Sequence, residues 1–286
     1  MKYTLKELIY YFTHRLPVII KGKWITHNLV KVHWGKDFKN FGDCLQPYIL
    51  RHYGLLPVYV PTNAKSDIVL QGSILQDVPE NYAGYIMGTG GEFQPYRFPN
   101  AKIIALRGKI TQANTASKYK DILLGDTGLL MSLVFPEPVK KKYELGIVPH
   151  FVDLDSEWLN RWKERFGQSV LFISPLQSVE NVIKQIKSCK AIAGSSLHGL
   201  VVADSYHIPS LRVISRTTMP LKRFDYKYID YYSAFGMEDT PVLEVTGSET
   251  LDQLIGHTIT MPVEEIDQII SYLDSAMQQI TSQFKR

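Results

Sequence analysis

Residues 67–72 read DIVLQG, 84–90 GYIMGTG, 101–108 AKIIALRG and 121–126 DILLGD. Each is a short apolar run closed by glycine or a polar residue. Runs that are apolar throughout, rather than alternating, suit strands buried on both faces of a parallel sheet, with functional loops at their carboxyl ends. Helical stretches fit between them, for example ITQANTASKY (110–119). The pattern pauses at FPEPVKKKYE (135–144), whose two prolines and lysine run suit an interdomain connection, with Lys140, Lys141 and Lys142 as a solvated face.

Beyond that pause the alternation restarts. LGIVPHF (145–151), VLFISP (170–175), AIAGSS (191–196) and PSLRVIS (209–215) read as strands, and SVENVIKQIKS (178–188) and a stretch from about Leu197 to Ser205 as helices. In PVEEIDQIISYLDSAMQQITSQF (262–284), Val263, Ile266, Ile270, Leu273, Met277, Ile280 and Phe284 recur three or four apart after Pro262, which predicts an amphipathic helix. The expectation is an α/β protein of two Rossmann-like lobes, 1–140 and 141–286, the second ending in this long helix. Ligands of such sheets sit at the carboxyl ends of strands, so the cleft between lobes is the expected site.

Composition narrows the class. The chain has 286 residues, 45% hydrophobic and 21% charged, an ordinary globular mixture long enough for two domains. The formal charge of +4 is too small an excess to argue for nucleic acid. No apolar run approaches the ~18 residues of a membrane span. Two cysteines far apart, Cys44 and Cys189, suit a reducing cytoplasm and offer no metal-ligand spacing. The opening MKYTLKELIYYFTHRL is too polar for a signal peptide; it reads as an amphipathic helix with Leu5, Leu8, Ile9 and Phe12 on one face, for core packing or for peripheral membrane contact.

Familiar nucleotide and hydrolase motifs are absent. There is no GxxxxGK[ST], HExxH or GxSxG, and Gly88-Thr-Gly90-Gly91 fails to complete GxGxxG because Phe93 stands at the third glycine position. The amides of Gly90 and Gly91 suit either an anion nest or a plain tight turn. Asp153-Leu-Asp155 matches a three-residue metal motif that arises often by chance.

Four islands carry chemistry. Asn40-Phe-Gly-Asp43 is a turn opening into the apolar run CLQPYIL, and fits a helix cap or a site loop. Arg107 ends a buried strand, so its charge must be paired or face a cleft. Ser195-Ser196-Leu197-His198 is a strand-to-helix junction, where a helix N-terminus attracts anions and a histidine can move protons. Asp225-Tyr-Lys227 sets a lysine among aromatics.

In this order the islands resemble the polysaccharide pyruvyl transferase family. The resemblance runs through NFGDCL (40–45), RGKIT (107–111), GDTGLL (125–130), LGIVPHFVD (145–153), SSLHGLVVADSYHIP (195–209) and YKYIDYYSAFG (226–236). It implies a two-lobed fold like that of the GT-B glycosyltransferases. It also implies transfer of a pyruvyl group from phosphoenolpyruvate onto two hydroxyls of a sugar as a cyclic ketal, with no further cofactor. Carried over by position, Arg107, His198 and Lys227 match the family's arginine, Leu-His-Gly histidine and downstream lysine. His198 is expected to transfer protons, Arg107 and Lys227 to hold donor charge, and Asp43 to orient a hydroxyl. Asn40, Gly90, Gly91, His150, Ser195, Ser196 and Leu197 are expected to contact substrate. Many members carry arginine where this chain has Ser196, so Lys227 or Arg216 is expected to replace that cation. Two other readings remain: a glycosyltransferase using a sugar nucleotide, and a non-catalytic glycan- or partner-binding protein. The family's role in surface polysaccharides suggests a lipid-linked acceptor at the cytoplasmic membrane face.

Overall fold

A computed structural model describes residues 28–35, 40–92, 94–115, 121–218, 225–237 and 241–284. The first half holds β1 (Leu29–Val32), α1 (Gln46–His52), β2 (Leu56–Tyr59), β3 (Ile68–Val69), β4 (Tyr85–Ile86), β5 (Lys102–Ile103), β6 (Ala105–Leu106), α2 (Lys109–Asn114), β7 (Leu123–Leu124) and α3 (Met131–Val134). All pairings are parallel: Leu29 with Leu56, Ile68 with Tyr85, Ile86 with Ile103 and Leu106 with Leu124. The Asp67 amide reaches Lys31 O at 2.8 Å, and Gly88 N reaches Ala105 O at 2.9 Å. These bonds join the short pieces into one progression, β2-β1-β3-β4-β5/β6-β7, with β5 and β6 a single strand interrupted at Ile104. Pro57 lies in β2, at the edge, where a missing amide costs no ladder bond.

The second half holds β8 (Tyr143–Val148), α4 (Glu157–Phe166), β9 (Val170–Phe172), α5 (Val179–Lys187), β10 (Cys189–Gly194), α6 (Leu197–Ser205), β11 (Ser210–Ile214), α7 (Tyr226–Ser233), β12 (Val242–Glu244), α8 (Leu251–Gly256) and α9 (Val263–Phe284). Its parallel sheet runs β12-β11-β10-β8-β9. The chain is therefore an α/β protein built on parallel sheets, as its apolar runs predict.

Helix faces follow their periodicity. In α5, Val179, Val182, Ile183 and Ile186 are buried, and the Ser178 hydroxyl caps the first turn by accepting from Asn181 N at 3.4 Å. All nine residues of α6 are buried, so this helix has no solvent face and forms the centre of the molecule. It packs on the turn Thr127–Leu130, and the main core draws Val30, Leu45 and Leu129 together with Val148, Ile183 and Leu200. Each such side chain contributes on the order of 1.5–3 kcal/mol by leaving water. The α9 helix buries Ile266, Ile270, Leu273, Met277 and Ile280, and it does so against the first half of the chain: Tyr53 Oη donates to Asp274 Oδ1 at 2.7 Å, and Phe284 meets the Tyr85 ring at 5.9 Å.

The connection at 135–144 is fastened rather than loose. Lys187 Nζ donates to Phe135 O at 2.6 Å and also to Glu137 O, while Lys141 Nζ reaches Cys189 O at 2.6 Å. Lys140, Lys141 and Lys142 are exposed, as a solvated face predicts, and the Lys141 ammonium folds back to the carbonyl at the start of β10. Among the described residues no helix is long and apolar enough to cross a membrane. The amphipathic segment expected at the N-terminus lies outside the described residues.

Candidate active site

Strand order locates the site. In the first sheet β1 and β3 are neighbours and the chain moves off in opposite directions on either side of them; in the second, β8 and β10 do the same. Such switch points open a crevice at the strands' carboxyl ends. A cavity of about 270 Å³ lies where both crevices meet. Asn40 and Asp43 enter it after β1, Ser73 after β3, His150 and Phe151 after β8, and Ser196, Leu197 and His198 after β10. Arg107 follows β6, and Tyr226 and Lys227 open α7.

Arg107 is fully buried. Its Nε donates to Asp230 Oδ2 at 2.9 Å and its Nη1 to Ser73 Oγ at 2.7 Å. Asp230 is held in turn by the amide and hydroxyl of Thr111, at 2.9 and 2.6 Å. The remaining Nη2 is enclosed without a partner. A buried donor of this kind is costly unless something accepts from it. The guanidinium is therefore braced by Asp230 and Ser73, also meets the Tyr226 hydroxyl, and keeps Nη2 without a partner. Gly90 makes this possible, since a Cβ there would stand 2.3 Å from the guanidinium carbon.

Lys227 is half-buried, and its ammonium lies 5.2 Å from the Tyr228 ring centroid. Burial first, then the charges of Arg107 and Arg212, push it down to about 8, against the pull of Asp43 and Asp153. Asp43 accepts from Asn40 Nδ2 at 3.0 Å; burial raises its carboxyl, while Asn40 and Lys227 oppose the rise. His198 packs flat on Gly42, where a Cβ would come within 2.2 Å of Nδ1. Burial, reinforced by Lys227 and Arg107, drives its imidazole down to about 3, and His150 is lowered to about 3 by burial, Lys227 and His198. Both rings are neutral at pH 7 in the unliganded protein.

Residues 20–217 match the family described as polysaccharide pyruvyl transferase. The chain belongs to that family. It is 35% identical over 186 residues to the uncharacterized protein L143 of Acanthamoeba polyphaga mimivirus, covering 58% of this chain and 59% of that protein. It is 23% identical over 216 residues to the succinoglycan biosynthesis protein ExoV of Rhizobium meliloti (strain 1021), covering 73% of this chain and 66% of that protein. The chain thus spans about three fifths to two thirds of the length of these curated relatives.

Three of the expected contact residues stand behind the cavity rather than on it. The Gly90 amide is used by Gly72 O at 2.9 Å and that of Gly91 by Thr111 Oγ1 at 3.3 Å, so neither is available as an anion nest. Ser195 is a brace: its hydroxyl accepts from His150 N at 2.9 Å and donates to Asp153 Oδ2 at 2.5 Å. Asp153, the first aspartate of the DLD triplet, also accepts from the Thr218 hydroxyl. Arg216, considered as the replacement for the arginine missing at Ser196, bonds Asp225 at 3.2 Å and approaches Glu244 at 3.9 Å, away from the cavity lining.

Sequence reasoning did not single out Ser73, Glu92, Phe151, Tyr226 or Asp230. For Asp230 and Tyr226 a signal existed: placed four apart in YKYIDYY, they share one helical face with each other and a turn with Lys227. The run resembles a strand in composition, which hid that face.

Proposed function

We propose that the chain transfers a pyruvyl group from phosphoenolpyruvate onto two hydroxyls of a sugar in a surface or exopolysaccharide precursor, forming a cyclic ketal. The observation that carries this reading is the unpartnered Nη2 of a fully buried, braced Arg107 on the wall of a small cavity that Lys227 shares. A carboxylate and a phosphate on a three-carbon skeleton match two such cationic subsites, and the amides at the start of α6 add a third. Lys227 takes the place of the cation absent at Ser196.

In this mechanism the donor's methylene carbon is protonated and C2 becomes an oxocarbenium-like centre. One sugar hydroxyl adds to C2; a second then displaces phosphate, so two hydroxyl protons must be accepted and one carbon-bound proton supplied. Lys227, titrating near 8, is suited to supply a proton, and neutral His198 to accept one. Binding a multiply charged anion offsets the cations that depress His198 and so raises its basicity during turnover. Asp43, whose carboxyl faces the same cavity, orients the hydroxyl pair.

A cavity of about 270 Å³ accommodates a donor as small as phosphoenolpyruvate. The two sheets, with their switch points on one cavity, support two Rossmann-like lobes in a GT-B-like arrangement divided near residue 140. A lipid-linked acceptor would place the work at the cytoplasmic membrane face, and vesicle co-sedimentation with and without the residues before Val18 checks that. The decisive experiment incubates the full chain with phosphoenolpyruvate and a panel of galactosides, mannosides and glucosides. Ketal mass gain with phosphate release is the expected result; stabilisation by UDP- or GDP-sugars and none by phosphoenolpyruvate would overturn it.

A further inference from the structure

Asp126 is entirely enclosed, although nothing in the mechanism so far uses it. Its Oδ1 accepts from Gly128 N at 2.8 Å, capping the turn Thr127–Leu130 on which α6 rests. Its Oδ2 has no partner. The Nε2 of His198 is likewise enclosed and unpartnered, as is Arg107 Nη2. Gly128 lies between the first two: a Cβ there would be 3.0 Å from Asp126 Oδ1 and 3.8 Å from His198 Cδ2. The Val201 Cγ1 methyl group, 2.9 Å from the same Cβ position, flanks this gap, so the carboxylate and the imidazole edge border one small space beside Gly128. Burial raises the Asp126 carboxyl to about 6, against the Gly128 amide and the Arg107 charge, Asp230 adds to the rise, and Tyr231 feels its charge. On the other side His198 faces Lys227 and His150.

Enclosed polar atoms are satisfied in folded proteins, and a water bridges them where the walls are polar. We propose that Asp126 accepts the Nε2–H of His198 through one bridging water and so fixes the Nδ1 lone pair toward the cavity. Asp126 is then a positioning residue for the base. When Nδ1 takes a proton from a sugar hydroxyl, the ring becomes an imidazolium with a proton on each nitrogen. The bridged carboxylate stabilises that charge, and the hydroxyl oxygen keeps the electron pair it uses to attack C2. The arrangement follows from a general rule for histidine: the bond made by one nitrogen sets the state of the other. This inference rests on the pyruvyl-transfer reading for its chemistry, but the tautomer it requires does not.

The test is nitrogen-15 NMR of His198 in the full-length protein, with Asp126→Asn as the variant. Asparagine keeps an oxygen for Gly128 N, removes the negative charge and puts an NH2 donor where Oδ2 accepts. Wild-type His198 should be protonated on Nε2 and bare on Nδ1, and Asp126→Asn should redistribute the tautomers. The variant should also lower kcat by about 10- to 100-fold, as loss of an orienting partner does elsewhere, while stabilisation by phosphoenolpyruvate persists. A wild-type ring protonated on Nδ1 would overturn the proposal. So would unchanged tautomers and kcat in the variant. If Asp126→Asn does not fold, the wild-type tautomer decides. A wild-type protein with the expected tautomer but no transfer from phosphoenolpyruvate would sink the functional reading and leave the Asp126–His198 contact standing.

Discussion

Each sheet delivers one buried arginine to α7, and the two look alike in every respect but one. Arg107 is 0% exposed, pairs with Asp230 and lies 6.0 Å from the Tyr226 ring; Arg212 is 2% exposed, pairs with Asp225 and lies 3.9 Å from the Tyr228 ring. Each even keeps one unpartnered nitrogen, Nη2 in Arg107 and Nε in Arg212. The difference is place. Arg212 sits within β11, aligned with Gly194 on one side and Val242 on the other, whereas Arg107 stands just past the end of β6 and borders the cavity. Burial, pairing and stacking therefore do not mark a functional cation; a free donor at a strand's carboxyl end does.

Substitutions at the two arginines test that distinction most strongly. Arg107→Lys removes the fork that meets Asp230, Ser73 and an acceptor together, and transfer should fall by about 10²–10³-fold. Arg212→Ala should instead cost about 3 kcal/mol of stability by leaving Asp225 only its half-exposed Arg216 partner, measured by denaturant unfolding, with transfer per folded molecule largely kept. If both variants lose activity without loss of stability, the contrast is broken. Next in size is Gly42→Ala. Its methyl group would meet the His198 ring, so kcat should drop roughly ten-fold or more, while phosphoenolpyruvate binding through Arg107 is retained.

The pH dependence sharpens the role of Lys227. Transfer should decline as pH rises through about 8, where its ammonium loses the proton. Stability should move the other way. Because the folded value lies below the ordinary 10.5, the unfolded chain binds more protons between about 8 and 10.5, and stability rises across that window. Lys227→Arg, whose guanidinium keeps its proton, should lower transfer and abolish both trends, read from kcat/KM profiles and from unfolding at several pH values. The smallest effect belongs to Arg216→Ala. That half-exposed pair with Asp225 should be worth about 0–1 kcal/mol and leave transfer unchanged.

Much of this molecule was legible from local pattern. The runs at 145–151, 191–196 and 209–215 became β8, β10 and β11, and Leu197–Ser205 and 262–284 became α6 and α9. Buried parallel strands and one-faced helices write their environment directly into composition. His198, Arg107, Lys227, Asp43 and Asn40 were legible as candidates, and all border one cavity. What escaped depends on distant partners. Asp230 matters because Thr111 and Arg107, over a hundred positions away, converge on it. Gly90 fits an anion nest or a plain tight turn from sequence, and what neither reading contains is the room it leaves for a guanidinium. The four-residue strands β1 and β2 carry too few residues, one of them Pro57, to register as periodic.

The return of α9 to the first half has a thermodynamic consequence. A chain whose last helix is anchored on Tyr53 and Tyr85 cannot release its second sheet without also exposing apolar surface of the first. With α6 buried between them, the two halves share their unfolding free energy, and heat or denaturant meets one cooperative unit. A protease cut within 135–144 would leave two fragments still clasped together by their own carboxyl-terminal helix.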